Sequence, residues 1–244
     1  MSKYIEYKDK LNYIAADIIR NTPEDIQDIV KRNIAISLFG RDGEPIYVEM
    51  NDYEKHFYIL FYGLHEIIES YEQLKDFEIF IKVFPYKRYN ISKARYLRFI
   101  IGSYLNEMYI LRERLLAYVK KIEKEYRNTR IYSNVQRVTN PIYDRVINSL
   151  SKICEVRNTH VHVNRYYDDL INRVIGFEIV VQDDNTNIFY PKYNSEYKKI
   201  RSKWKKTIGE NNRAVDELLD FVFAELMDVV FKINSELNQP SEFQ

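Results

Sequence analysis

At 244 residues the chain is long enough to bury a sizeable core, and its 45% hydrophobic and 30% charged residues are ordinary for a globular protein. The formal net charge of +1 excludes a general attraction for polyanions, so any nucleic-acid surface must be local. The single cysteine, Cys154, excludes an internal disulfide and a zinc site built on several thiolates, and it fits a reducing cytoplasm.

No apolar run approaches the roughly eighteen residues that a membrane span needs. The N-terminal segment MSKYIEYKDK has no hydrophobic stretch of the kind found in signal peptides. We therefore expect a cytoplasmic protein with no membrane partner. Only six glycines and six prolines favour long helices over many tight turns, so the predicted fold class is mainly α.

The first third of the chain predicts two helices and a β-hairpin. Apolar residues recur at helical spacing over 3–20. Thr22-Pro23 then has the form of a helix start, with a capping threonine and a proline at the first helical position. Residues 34–39 and 46–50 have strand character and flank Gly40-Arg41-Asp42-Gly43, which predicts a hairpin.

A long amphipathic helix is predicted from Asn51, with Glu54 at the capping-box position. His56 and His65 lie within it, nine residues apart. Lone histidines on an apolar helix are more often packed or hydrogen-bonded than bound to metal, so no metal site and no cofactor are predicted. The short apolar stretch 77–84 is compatible with either a strand or a helix.

The remainder predicts a helical bundle with a second hairpin. Ser92 starts the longest helical pattern, which runs to about residue 127, and Asn140-Pro141 has the form of the next start. Further helices are predicted over 164–175, 194–208 and 211–237, and a hairpin over 177–181 and 188–190. With no repeat or linker, we predict a single domain, 1–244, in which 1–90 extends a helical core over 91–238.

The most informative stretch is Arg157-Asn158-Thr159-His160-Val161-His162. Imidazole transfers protons near neutral pH, and guanidinium can bind phosphate oxygens and offset transition-state charge. His162 is therefore the candidate general acid or base, Arg157 the candidate phosphate clamp, and Asn158 a group that could orient the imidazole. Helical geometry points His160 away from His162, so it is either a structural neighbour or a second proton carrier.

The chain contains four Arg-Asn dipeptides, and only the one at Arg157 has histidine four residues after the asparagine. A random match among four has a chance of roughly 7 in 100. Arg157 also falls on the apolar stripe of its helix, where a charged side chain needs a compensating partner. One Arg and one His make half of a site, so two copies facing each other would complete it, which predicts a homodimer.

Arg157-Asn158-x-x-x-His162 resembles the signature of the HEPN superfamily of small helical domains. The resemblance implies a metal-independent endoribonuclease from a toxin or phage-defence system, with the motif at a dimer cleft and RNA as substrate. The longer string through Asn164 and Arg165 is similar to abortive-infection HEPN proteins. HEPN toxins with a nucleotidyltransferase antitoxin usually have tyrosine where Asn164 stands, so this chain is closer to the abortive-infection relatives. An antitoxin or another regulatory partner is compatible with either group.

A second feature bears on RNA. Between residues 192 and 206, seven basic side chains accompany one acid, Glu196. The basic residues are Lys192, Lys198, Lys199, Arg201, Lys203, Lys205 and Lys206. The interleaved aromatics are Tyr190, Tyr193, Tyr197 and Trp204. Cations with aromatics are typical of a single-strand binding platform, but an exposed helix with inward-facing aromatics would have the same composition.

Two alternatives to the enzyme remain open. A HEPN-like domain without catalysis could bind RNA or nucleotide, or mediate assembly, with Arg157 and His162 as a structural polar pair. An unrelated helical protein could carry the motif by coincidence, with Arg157 ion-paired inside its core.

Overall fold

The computed structural model describes residues 2–39, 44–83, 91–162, 169–181 and 186–232. Within these ranges, the side chains of residues 37–39, 159–162 and 232 are not described. The described residues form seven α-helices, a terminal π-helical turn and no β-strand. The helices are α1 (Lys3–Asn21), α2 (Glu24–Phe39), α3 (Asp52–Phe80), α4 (Lys93–Glu125), α5 (Tyr132–His162), α6 (Asp169–Val181) and α7 (Tyr190–Met227), and the π-helical turn is Asp228–Lys232.

The predicted first hairpin is wrong. Residues 34–39 continue α2, and residues 44–50 form neither helix nor strand. Extending an existing helix adds one hydrogen bond for each residue fixed, whereas an isolated two-stranded hairpin is marginal in water. No glycine or proline interrupts the chain between Glu24 and Phe39, so the helix continues through the β-branched residues. The predicted turn at 40–43 lies outside the described residues.

The predicted second hairpin is also wrong. Residues 177–181 are the end of α6, residues 188 and 189 form a turn, and Tyr190 is the first residue of α7. Ile171, Val174 and Val181 are fully or almost fully buried, and their spacing of three and seven places them on one helix face. The apolar run is therefore the buried side of a helix, a case that a short apolar run leaves undecided in sequence. Residues 182–185 lie outside the described ranges.

The start of α3 follows its prediction. The side chain of Asn51 accepts a hydrogen bond from the backbone N–H of Glu54 at 2.9 Å, and the Glu54 carboxylate accepts one from the N–H of Asn51 at 2.8 Å. This capping box satisfies two backbone donors that the first turn would leave unpaired. Residues 77–80, undecided in sequence, belong to this helix.

Two predicted helix boundaries are wrong. Asn140-Pro141 does not start a helix, because α5 begins at Tyr132 and runs through Pro141. An interior proline costs about 3 kcal/mol, but buried Val135 and Ile142 lie on either side of it and hold both halves in the core. Over the described residues, the helices predicted at 194–208 and 211–237 are one helix, α7, followed by the π-helical turn, and residues 233–237 lie outside the description. Buried Ile208 and Asn212 continue its inward face across the predicted break.

Helix α4 lies at the centre of the packing. It packs against α3 on one side and α5 on another, while α7 contacts α1, α3, α5 and α6. The buried residues form one hydrophobic cluster to which all of these helices contribute. Helix α1 joins it through Tyr7, whose hydroxyl lies 2.7 Å from that of Tyr118 in α4. The N-terminal segment therefore shares its core with the residues that carry the motif.

Candidate functional site

Helices α4 and α5 run antiparallel, and this register places the motif. Near one end of the pair, Glu123 of α4 accepts hydrogen bonds from Tyr132 and Gln136 of α5. Towards the other end, Asn106 of α4 meets Arg157 of α5. The last turn of α5, which contains the motif, therefore lies beside the N-terminal half of α4.

Arg157 is partly exposed, and polar but uncharged groups hold its guanidinium. Nη1 donates to Oδ1 of Asn158 at 3.1 Å, and Nη2 donates to Oδ1 of Asn106 at 3.4 Å. The guanidinium carbon lies 4.1 Å from the ring centroid of Tyr109, which is a cation–π contact. These contacts fix the plane of the guanidinium over one face of α4.

The sequence predicts that Arg157 needs a compensating partner on its stripe. Within the described ranges, Arg157 has no carboxylate within ion-pair distance, and its compensation comes from two amide oxygens and a tyrosine ring. Its Nε is buried and has no acceptor among the described residues. The positive charge is therefore positioned but not neutralised by a described carboxylate.

Arg112 and Arg157 both lie near the thiol of Cys154. Burial raises the pKa of the Cys154 thiol, while Arg112 and Arg157 act on it in the opposite direction. A buried thiol with a raised pKa is neutral at neutral pH and is a poor nucleophile. Arg112 pairs with the adjacent Glu113, so Arg157 is the cation beside Cys154 that lacks such a partner among the described residues.

The remaining motif residues are placed only in part. The backbones of His160 and His162 belong to the last turn of α5, and their side chains lie outside the description. Asn164 and Arg165 lie outside the described residues. Asn158 is exposed and bonded to Arg157. Of the three predicted catalytic side chains, the structure thus brings Arg157 and Asn158 together.

Asn106 and Tyr109 contact Arg157 and are absent from the sequence prediction. They lie three residues apart on α4, between the positions of its buried stripe. Nothing local distinguishes them from other polar or aromatic residues on a helix surface. Only the register of α4 against α5 assigns them to the motif.

The basic segment 192–206 lies in α7, and its aromatics point inward. Tyr193, Tyr197 and Trp204 are 1%, 7% and 6% exposed. Their rings therefore lie inside the core. This agrees with an exposed helix whose aromatics face inward, which was one of the two interpretations that the sequence allowed. An exposed stacking platform needs accessible rings, and none of these three supplies one.

The cations of this segment differ in their contacts. Lys199 pairs with Glu196 at 3.1 Å, and Lys206 lies 3.7 Å from Glu210. Arg201 donates to the backbone carbonyls of Ile81 and Lys82 after α3, which gives it a structural role. Six of the seven basic residues of this segment are exposed, and these are Lys192, Lys198, Lys199, Lys203, Lys205 and Lys206.

The two histidines of α3 have separate carboxylate partners. His56 Nδ1 lies 3.4 Å from Glu125, and His65 Nε2 lies 3.8 Å from Glu69. Among the described residues, no three His, Cys, Asp or Glu side chains converge as a metal site would require. Nor does any helix in the described ranges have the length and apolar character to cross a membrane.

No family model matches the sequence, and no curated protein or solved structure is detectably similar to the chain. We therefore infer the function from the residues themselves.

Proposed function

We propose that this protein is a HEPN-like, metal-independent endoribonuclease of a defence or toxin system. The observation that supports it most is the Arg157 guanidinium, held by Asn106, Asn158 and Tyr109 without a described carboxylate. It lies one to two turns before His162 on α5. A fixed cation that is not neutralised by a neighbouring acid is suited to binding a phosphate diester.

In the proposed reaction, the ribose 2′-oxygen attacks the adjacent phosphorus and the bond to the 5′-oxygen breaks. One imidazole accepts the 2′-hydroxyl proton, and a protonated imidazole donates a proton to the leaving 5′-oxygen. The products are a 2′,3′-cyclic phosphate and a 5′-hydroxyl. Arg157 would bind the non-bridging oxygens, on which charge accumulates.

The two proton transfers need two groups, and His162 supplies one imidazole per chain. A second copy of the chain would supply the other, so we propose a homodimer with the site at its interface. Sedimentation should then show a dimer, and specific activity should fall when the protein is diluted into the range where the dimer dissociates. Full specific activity in a monomeric preparation would exclude the shared site.

The decisive experiment incubates the protein with single-stranded and structured RNA in the presence of EDTA. Arg157→Ala and His162→Ala should each abolish cleavage and the formation of cyclic phosphate ends. Matched controls are His65→Ala and Arg137→Ala, because both side chains are exposed and lie outside the motif. If His162→Ala cleaves RNA as fast as the unsubstituted protein, the mechanism is wrong.

The second candidate function is a HEPN-like domain that binds RNA or nucleotide, or mediates assembly, without cleaving. The same Arg157 geometry favours it, because a positioned cation binds phosphate whether or not chemistry follows. This function predicts that the unsubstituted protein binds RNA without cleaving it. Arg157→Ala should then bind RNA less tightly, and His162→Ala should bind it as the unsubstituted protein does.

We further propose that the exposed lysines of α7 contact RNA through its phosphates only, because the rings of Tyr193, Tyr197 and Trp204 are buried. Replacing Lys203, Lys205 and Lys206 with glutamine should weaken RNA binding and reduce its dependence on salt concentration. Lys152→Gln, an exposed lysine on α5, is the control. An unchanged salt dependence would exclude this surface.

A further inference from the structure

A second group of cations lines a cleft at the far end of the α4–α5 pair from Arg157. The cleft has a volume of about 430 Å³. Its lining residues are Lys120, Glu123, Lys124, Arg127, Tyr132 and Tyr143. Glu123 and Asn106 are seventeen residues apart on α4, which corresponds to about 25 Å along the helix. The cleft is therefore separate from the Arg157 site.

The one acidic side chain that lines the cleft, Glu123, accepts hydrogen bonds from three neutral side chains of α5. The Glu123 carboxylate accepts hydrogen bonds from Tyr132 Oη at 3.0 Å, Tyr143 Oη at 3.2 Å and Gln136 Nε2 at 3.3 Å. Burial, followed by the Glu123 charge, raises the pKa of Tyr143, so its hydroxyl stays protonated and keeps donating. The carboxylate is thereby held against α5.

The positive charges of the three cations in the cleft are not neutralised by a described carboxylate. Lys120, Lys124 and Arg127 make no ion pair or side-chain hydrogen bond to another described residue. They follow one another at spacings of four and three residues, which brings them to the same side of α4 and its following turn. With three cations and one acid the lining carries a formal charge of +2.

The last carbonyl groups of α4 do not need these cationic side chains as hydrogen-bond donors. Its final carbonyls accept backbone N–H groups of the following turn, from Tyr126 to Glu123 at 3.2 Å and from Arg127 to Lys124 at 3.2 Å. The side chains of Lys124 and Arg127 are thus not needed to satisfy them. Both face the cleft, beside the tyrosine rings of α5.

We propose that this cleft binds a phosphate group carried by a nucleotide or by an RNA strand. The cations match the phosphate charge, and the rings of Tyr132 and Tyr143 offer an aromatic wall for a base. The volume falls within the range of small-molecule sites, about 300 to 1,000 Å³. The two ligand sources share this chemistry and differ in how much of the ligand extends beyond the cleft.

The test compares the double variant Lys120→Gln/Lys124→Gln with the control Lys121→Gln. Lys121 is an exposed neighbour on α4 that does not line the cleft. All measurements use Arg157→Ala protein, so the outcome is independent of whether the chain cleaves RNA. Calorimetric titration with AMP and with inorganic phosphate tests the nucleotide, and fluorescence anisotropy with a short single-stranded RNA tests the strand.

We expect the double variant to weaken binding about two- to thirtyfold, because an exposed ion pair contributes about 0.2 to 1 kcal/mol and two are removed. Lys121→Gln should bind as before. Loss of AMP affinity identifies a nucleotide site, and loss confined to RNA identifies a contact along the strand. If no probe binds, or if the double variant and Lys121→Gln bind equally, the proposal is wrong. Circular dichroism spectra and melting temperatures that match the parent protein verify folding, which we expect because the substituted lysines are exposed.

Discussion

Replacing Gly63, in the middle of α3, with alanine should change stability through two opposing effects, helix propensity and packing against Tyr118. A Cβ atom built on Gly63 would lie 2.5 Å from Cδ2 and 3.0 Å from Cε2 of Tyr118. Ordinary contacts between carbon atoms are about 3.5 to 4.0 Å. Gly63→Ala therefore forces the ring of Tyr118 and the backbone of α3 apart.

Helix propensity and packing act in opposite directions at this position. Alanine in a helix interior is about 1 kcal/mol more favourable than glycine. Overpacking a tight core typically costs about 1 to 3 kcal/mol. Tyr118 is only 1% exposed and its hydroxyl is bonded to Tyr7, so a ring shift also weakens a hydrogen bond with a net contribution of about 0.5 to 1.5 kcal/mol. We expect Gly63→Ala to lower the free energy of unfolding by roughly 0.5 to 3.5 kcal/mol.

Urea unfolding followed by far-UV circular dichroism measures the effect, and Gly209→Ala is the matched control. Gly209 is an interior glycine of α7, and a Cβ there would meet no atom within 4 Å. Only helix propensity acts at that position, so the control should be more stable than the unsubstituted protein by about 0.5 to 1 kcal/mol. Equal stabilisation by both substitutions would refute the packing argument.

Three further predictions concern a helix cap, alkaline pH and the Arg157 site. Asn51→Ala removes the acceptor for the Glu54 N–H and should lower stability in urea by about 1 kcal/mol, whereas Asn51→Asp should retain most of it. Burial raises the pKa of Tyr4 and Tyr126 to about 12, above the value of about 10 in an unfolded chain. Their contribution to stability is therefore complete below pH 10 and is lost as the pH rises towards 12; urea midpoints that stay constant across this interval would contradict it. Tyr109→Leu removes the ring under Arg157 and should slow RNA cleavage, while Tyr58→Leu, on exposed α3 surface, should not; equal rates would show that the stack is dispensable.

Two helix starts could be predicted from the sequence, because a cap depends on residues three positions apart. Helices α3 and α4 begin directly after Asn51 and Ser92 as predicted, and Ser92 Oγ accepts the N–H of Arg95 at 3.1 Å. The stripe of α4 was equally clear, since its apolar residues recur over the whole helix and are buried. Agreement among local signals makes such elements identifiable without knowledge of the neighbours.

The errors arose where helix extension or tertiary packing overrides a local signal. Residues 34–39 and 177–181 have strand character but continue helices α2 and α6. Pro141 suggested a helix start, yet α5 continues through it because both flanking turns are anchored in the core. In each case the deciding contribution comes from how the segment extends or packs, and this is not encoded in the few residues that gave the signal.

The sequence by itself determined the mainly helical class and several helix starts. It also singled out Arg157, Asn158 and His162 as candidate catalytic residues. These follow from composition, periodicity and functional groups, which are properties of nearby residues. Only the tertiary structure decided that Arg157 lies on Tyr109 beside Asn106, that the aromatics of α7 face inward, and that three cations surround a cleft at the other end of α4. These facts depend on the register and rotation of one helix against another, which many weak contacts along both helices determine together.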